Sequence, residues 1–143
     1  LGLDSRSGAL DRELMGGRKE EVGKFGFEPM DDAIKTISEV SHKRAKEVMH
    51  FYSEYLQSMK NVAKIVAEGG HTCYVVGNRT VKGVQVPTDQ FTAWAFEQQG
   101  FTHVVTYVRD IPNKRMPSKN SPSNVTGKTA PTMTGEFLVV CKK

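Results

Sequence analysis

Glu68-Gly-Gly-His-Thr-Cys-Tyr-Val-Val-Gly-Asn-Arg-Thr80 brings the end of a helix, a strand and a polar strand exit into one short run. Gly69 and Gly70 predict the end of a helix, because glycine enters the left-handed conformation of a helix C-cap without a Cβ penalty. His71–Val76 is rich in aromatic and β-branched residues and is bounded by Gly77, which predicts a short, mostly buried strand. Asn78-Arg79-Thr80 follows at its C-terminal end, the edge of an open α/β sheet at which ligands bind.

N-terminal to this run, apolar residues recur at helical spacing. Pro29-Met30-Asp31-Asp32 opens the helical region, since either aspartate can cap free amide groups and both favour the positive end of the helix dipole. Ala33, Ile34, Ile37 and Val40 form the first apolar stripe, and Ser41-His42 marks a break or bend. A longer helix is expected to reach about Glu68. Its stripe is Val48, Met49, Phe51, Tyr52, Tyr55, Leu56, Met59, Val62, Ala63 and Val66, with Lys43, Arg44, Lys46, Glu47, Glu54, Lys60 and Lys64 largely on the other side. Residues Leu1–Glu28 hold six of the thirteen glycines and no sustained periodicity. We therefore read residues 1–30 as a flexible arm and 31–143 as the folded part.

C-terminal to the opening run, Asn78–Gly83 reads as a turn region and Val84–Val86 as a short extended piece. Pro87, with Thr88 or Asp89 as cap, starts a helix whose buried face is Phe91, Trp94 and Ala95 and whose end is Gly100. Phe101–Val108 is a second strand. Ile111–Met133 carries Pro112, Pro117, Pro122 and Pro131 and is expected to be a long irregular loop. Gly135–Cys141 is the last strand. The fold class is α/β. Strand, helix, strand should form a right-handed parallel crossover. The last strand returns through a loop without a helix and should be antiparallel.

At 143 residues the chain is the size of one domain. Its net charge of +4 is mild, but Arg109–Thr134 holds five basic residues against the single acid Asp110. The basic excess is therefore local. Cys73 and Cys141 both sit in apolar strand-like runs, the setting of reduced core cysteines, which predicts a cytoplasmic protein. No apolar run approaches a membrane span and no signal-peptide core is visible.

The order of elements, with these phrases in place, resembles the C-terminal half of bacterial S-adenosylmethionine-dependent DNA methyltransferases that modify exocyclic amino groups. Leu56-Gln-Ser-Met-Lys-Asn-Val-Ala-Lys-Ile-Val-Ala-Glu-Gly-Gly resembles the helix that leads into the fifth strand, and His71-Thr-Cys-Tyr-Val-Val-Gly-Asn-Arg resembles that strand. Phe91-Thr-Ala-Trp-Ala-Phe-Glu-Gln-Gln-Gly-Phe is similar to the next helix. Ile111-Pro-Asn-Lys-Arg-Met-Pro and Gly135-Glu-Phe-Leu-Val-Val-Cys-Lys look like the loop and final strand. The likeness covers about Asp31–Lys143.

The resemblance implies a Rossmann-like sheet, S-adenosylmethionine as methyl donor, and DNA as partner, in a restriction-modification setting. It also implies that the target adenine or cytosine is flipped out of the duplex before its amino nitrogen is methylated. The family's glycine-rich cofactor turn and its Pro-Pro-Tyr or Pro-Pro-Phe catalytic motif do not occur in these 143 residues. The chain is therefore expected to be a fragment, inactive alone, with no catalytic residue of its own. Half a sheet should self-associate or pair with the missing half. Asn78, Arg79, Thr80, Arg109, Asn113, Lys114, Arg115 and Lys119 are the candidate nucleic-acid contacts, because parallel strands would place both exits on one side.

Two other functions fit the same residues: an RNA methyltransferase of the same fold, or a non-catalytic nucleic-acid-binding α/β module. Other motifs carry less. Gly127-Lys128-Thr129 imitates a phosphate-binding loop but has Pro122 where a glycine is needed. His42, His50, His71 and His103 show no metal-ligand spacing. Tyr52, Tyr55, Trp94 and Phe96 read as core residues.

Overall fold

The computed structural model describes residues 24–111, 119–120, 130–131 and 135–143. Among the described residues two helices come first, α1 (Glu28–Val40) and α2 (His42–Ile65), then β1 (His71–Val76) and a small hairpin of β2 (Thr80–Val81) and β3 (Val84–Gln85). Helix α3 (Thr88–Glu97) and β4 (Thr102–Asp110) follow. A two-residue pair, β5 (Lys119–Asn120) with β6 (Ala130–Pro131), interrupts the proline-rich stretch, and β7 (Gly135–Lys142) ends the order.

The α1–α2 break is sharp. Ser41 takes an extended conformation, and its hydroxyl accepts a hydrogen bond from the Arg44 amide at the start of α2. Asp31 works differently from the expected cap. Its carboxylate accepts from the amides of Phe25 and Gly26, which precede the helix, and so holds the entering chain down. Phe25 and Phe27 consequently pack on Phe91 of α3, and Phe27 also stacks on Trp94 at 5.3 Å. Residues 24–30, placed in the arm by composition, thus join the core.

Helix α2 stops at Ile65, three residues before the expected end. Gly69 has φ +76°, the left-handed region, and a Cβ on Gly70 would lie 2.7 Å from Val66 Cγ1. Both glycines are thus required, one for conformation and one for close approach. Lys143 fixes this corner. Its ammonium donates to the carbonyls of Ala63 (2.9 Å) and Val66 (2.8 Å), and its backbone pairs with Gly69 and Gly70. These are the free carbonyls of a helix end, where a cation is favoured.

The main sheet has the order β1-β7-β4, and both pairings are antiparallel. The last strand is antiparallel as expected, but the parallel pairing is corrected. β1 and β4 run in the same direction, yet β7 lies between them, and no parallel hydrogen-bonded pair exists among the described residues. Insertion of β7 satisfies both inner edges with hydrophobic Phe137, Leu138, Val139 and Val140. A β1–β4 pair would have left that strand without two partners.

Helices cover one face of this sheet. Thr72, Val139 and Cys141 are buried there, and Tyr74 meets Phe96 edge to face at 5.1 Å. Burying Phe91, Phe96, Met30, Ile37 and Met59 contributes about 1.5–3 kcal/mol for each side chain. Opposed residues share a face, so Cys73 and Val75 of β1 join Val140 and Leu138 of β7 and Val105 and Tyr107 of β4 on the other side. That face is open: Val75 is 60% and Tyr107 58% exposed. Cys73 is thus an exposed cysteine, not the core residue its apolar run suggested, while Cys141 is buried. Strand alternation separates two residues of the same type and similar neighbourhood.

Candidate nucleic-acid interface

Because β1 and β4 run in one direction, their C-terminal ends meet at the same end of the sheet. Val76, Phe137 and Val108 form one cross-strand row there, and Arg109 opposite Glu136 forms the next. The candidate residues on the two strand exits therefore share a neighbourhood, although through an intervening strand.

Asn78 is held firmly. Its side-chain amide donates to Asp89 Oδ1 at 2.8 Å, and its carbonyl oxygen accepts from the Asp89 backbone amide at 3.1 Å. Asn78 thus caps the first turn of α3 from outside the helix, where Pro87, the residue before it, has no side-chain bond to offer. Its polar groups are engaged within the fold. Arg79 and Thr80 are exposed. The Arg79 carbonyl accepts from the Val86 amide at 2.8 Å, and among the described residues its guanidinium makes no hydrogen bond or ion pair.

Arg109 is exposed and forms an ion pair with Glu136 across the strands. Its charge is locally compensated, so it offers less to a phosphate than its position suggests. Asn113, Lys114 and Arg115 lie outside the described residues, as does Gly127-Lys128-Thr129. Lys119 opens β5.

Beneath the exits lies a polar seam that the sequence pattern did not announce. The Tyr52 hydroxyl is 2.5 Å from Thr88 Oγ1, and that of Tyr55 is 3.0 Å from Thr92 Oγ1. Burial pushes the Tyr52 hydroxyl above its ordinary range, against the opposing pull of the Thr88 hydrogen bond and the Arg79 charge. Tyr55 is pushed up to about 12, mainly by burial. Both stay neutral hydrogen-bonding anchors between α2 and α3 at physiological pH. Tyrosines at helical spacing opposite a Thr-x-x-x-Thr on the next helix were the available signal.

The remaining chemistry is sparse. A shallow cavity of about 230 Å³ lies between α3 and β4, lined by Phe27, Trp94, Glu97 and His103 among others. His103 Nε2 sits 2.8 Å from Thr106 Oγ1. Among the described residues no group of three histidine, cysteine or acidic side chains could hold a metal, and no helix is long and apolar enough to cross a membrane. Nor do the described residues fit S-adenosylmethionine. After β1 the chain passes through a hairpin before α3, not a glycine-rich turn into a helix, and the amide-bearing side chain at that exit is already bonded to Asp89. Among the described residues, Arg79 and Arg109 stand as exposed cations at the two strand exits.

The chain is similar to the Type II methyltransferase M.MvaI of Kocuria varians, 34% identical over 146 aligned residues that take in 97% of this chain. It spans about a third (32%) of the length of that relative. No family model matches the chain, and no solved structure matches it significantly. The chain is thus homologous over nearly its whole length to one segment of a Type II methyltransferase.

Proposed function

We propose that this chain is the sheet-completing and DNA-facing part of a cytoplasmic DNA methyltransferase that moves a methyl group from S-adenosylmethionine to an exocyclic amino group of adenine or cytosine. The observation that carries this reading is the 34% identity to a Type II methyltransferase across 97% of the chain. The order helix, strand, helix, strand, antiparallel strand supports it, since the same phrases fall on the same elements.

In this reading the glycine-rich cofactor turn and the Pro-Pro-Tyr-type motif belong to further sequence of the enzyme, as the greater length of the relative allows. That sequence packs on the open face of the sheet and on the edge of β1 that has no strand partner among the described residues, a strand without charge or proline to protect it. The described part supplies a rigid frame, with α3 pinned to the β1 exit by Asn78 and to α2 by Tyr52 and Tyr55.

The test is methyl transfer from labelled S-adenosylmethionine, assayed for the product of the complete reading frame and for the 143-residue chain alone. Duplex DNA and structured RNA are offered separately, and modified nucleosides are separated after digestion. Label in an amino-methylated DNA base from the complete product only is the expected result. Label confined to RNA, or to a ring carbon of cytosine, refutes the assignment.

A further inference from the structure

The hairpin Thr80–Gln85 falls where a turn region (Asn78–Gly83) and a short extended piece (Val84–Val86) were expected, and its construction is unusual for a bland connection. Its strands pair Thr80 with Gln85 and Val81 with Val84, leaving Lys82-Gly83 as a two-residue loop. Both loop residues have positive φ, Lys82 at 51° and Gly83 at 82°. Two-residue hairpin loops of this kind favour Asn-Gly or Asp-Gly, because the first position disfavours a residue with a long side chain in the left-handed region. Lys82 is the only described residue other than glycine that occupies that region.

The hairpin is also held from several sides. Val81 and Val84 pack against the core, and Val86, which follows β3, is buried. The Val86 amide bonds the Arg79 carbonyl at the base, and Asn78 ties the preceding residue to α3. From this rigid base the exposed side chains are Arg79, Thr80, Lys82 and Gln85: two cations, two neutral hydrogen-bonding groups and no acid. Neither cation has an ion pair among the described residues, whereas Arg109 at the neighbouring strand exit does. A disfavoured backbone state at a residue with an unpaired charge, on a well-anchored support, points to a function for that charge.

We propose that this hairpin is a phosphate-backbone contact, with Lys82 at its tip and Arg79 at its base gripping adjacent phosphates of a DNA duplex. The proposal rests on the nucleic-acid reading given above and adds Lys82 to it. Such contacts set position and affinity without reading sequence, and each one releases counterions on binding.

The experiment measures binding of the full 143-residue chain to a fluorescent DNA duplex across a salt series. The parent is compared with Lys82→Asn, Arg79→Gln, the double variant and Lys64→Gln. Lys64 lies in the last turn of α2, at the other end of β1 from the hairpin. Lys82→Asn installs the preferred loop residue, so its thermal midpoint stays equal to or above that of the parent. Its affinity falls several-fold at low salt, and the slope of log K against log salt falls by about 0.9 per lost phosphate contact. The double variant loses about twice that slope, and Lys64→Gln matches the parent.

If the parent binds and both hairpin variants bind equally well, the hairpin proposal is overturned while DNA binding through other cations stands. Equal weakening by Lys64→Gln overturns it too, since net charge would then explain the effect. A parent that leaves the duplex free even at low salt overturns both the hairpin proposal and the nucleic-acid reading of this chain.

Discussion

Replacing Asn78 by aspartate keeps the shape of the side chain and inverts half of its chemistry. The Asp89 amide still finds an acceptor, but the donor that stood 2.8 Å from Asp89 Oδ1 becomes a second carboxylate. One hydrogen bond to a charged group is lost, worth about 1.5–3 kcal/mol. In its place come two like charges, whose repulsion at 4 Å is about 4 kcal/mol at the effective dielectric of a protein surface. The pair is half-buried and can rotate apart, so the combined cost at pH 7 is about 2–4 kcal/mol. Asn78→Ala removes both bonds without adding charge and costs about 1–2 kcal/mol.

The two variants separate by pH. In Asn78→Asp one carboxyl of the new pair has its folded pKa raised above the unfolded value. Stability is then intact below the unfolded pKa, near 4, and is lost as pH rises through the folded pKa. The difference between Asn78→Asp and the parent therefore shrinks on acidification toward pH 4, while that for Asn78→Ala stays constant. Urea unfolding at several pH values reads this directly, with each variant referred to the parent at the same pH. An Asn78→Asp protein as stable as the parent at pH 7, or a deficit unchanged by acid, would refute the cap and return Asn78 to the list of free DNA contacts.

Lys143→Met removes an ammonium that bonds two carbonyls at the end of α2 and lies 5.9 Å above the Phe101 ring. It should cost about 1.5–3 kcal/mol, readable as a thermal midpoint lowered by several degrees, whereas Lys142→Met on the open face stays within about 0.5 kcal/mol. With a thiol reagent under native conditions Cys73 reacts promptly, and Cys141 reacts only on unfolding; peptide mapping that finds both equally labelled would contradict the assignment of faces. Burial pushes the Cys141 thiol up to about 11 and the Tyr55 hydroxyl to about 12. Both groups are therefore neutral in the folded state well past their ordinary ranges, and the stability this carries is lost as pH climbs from about 9 to 12. Tyr55→Phe should flatten the upper part of that alkaline fall.

The local sequence by itself determined the elements. The stripe from Val48 to Val66 made α2, Gly69-Gly70 ended it, and aromatic and β-branched runs made β1, β4 and β7, because each depends on the conformational preferences and periodicity of neighbouring residues. The phrases at Leu56–Gly70, His71–Arg79 and Phe91–Phe101 also pointed to the methyltransferases, and the position of the candidate site followed from the strand exits. Partnership was not legible. Strand alternation says which residues share a face but not which strand lies beside which, so only the tertiary structure decided that β7 enters between β1 and β4 and that Cys73 faces outward while Cys141 is buried. The same holds for Asn78, which reads as a free polar residue at a strand exit until α3 brings Asp89 within 2.8 Å of it. Lys143 reaches back to Ala63 and Val66 across most of the chain. Such contacts are set by how the packed elements bring distant polar groups together, and a buried or half-buried group takes the partner that geometry supplies.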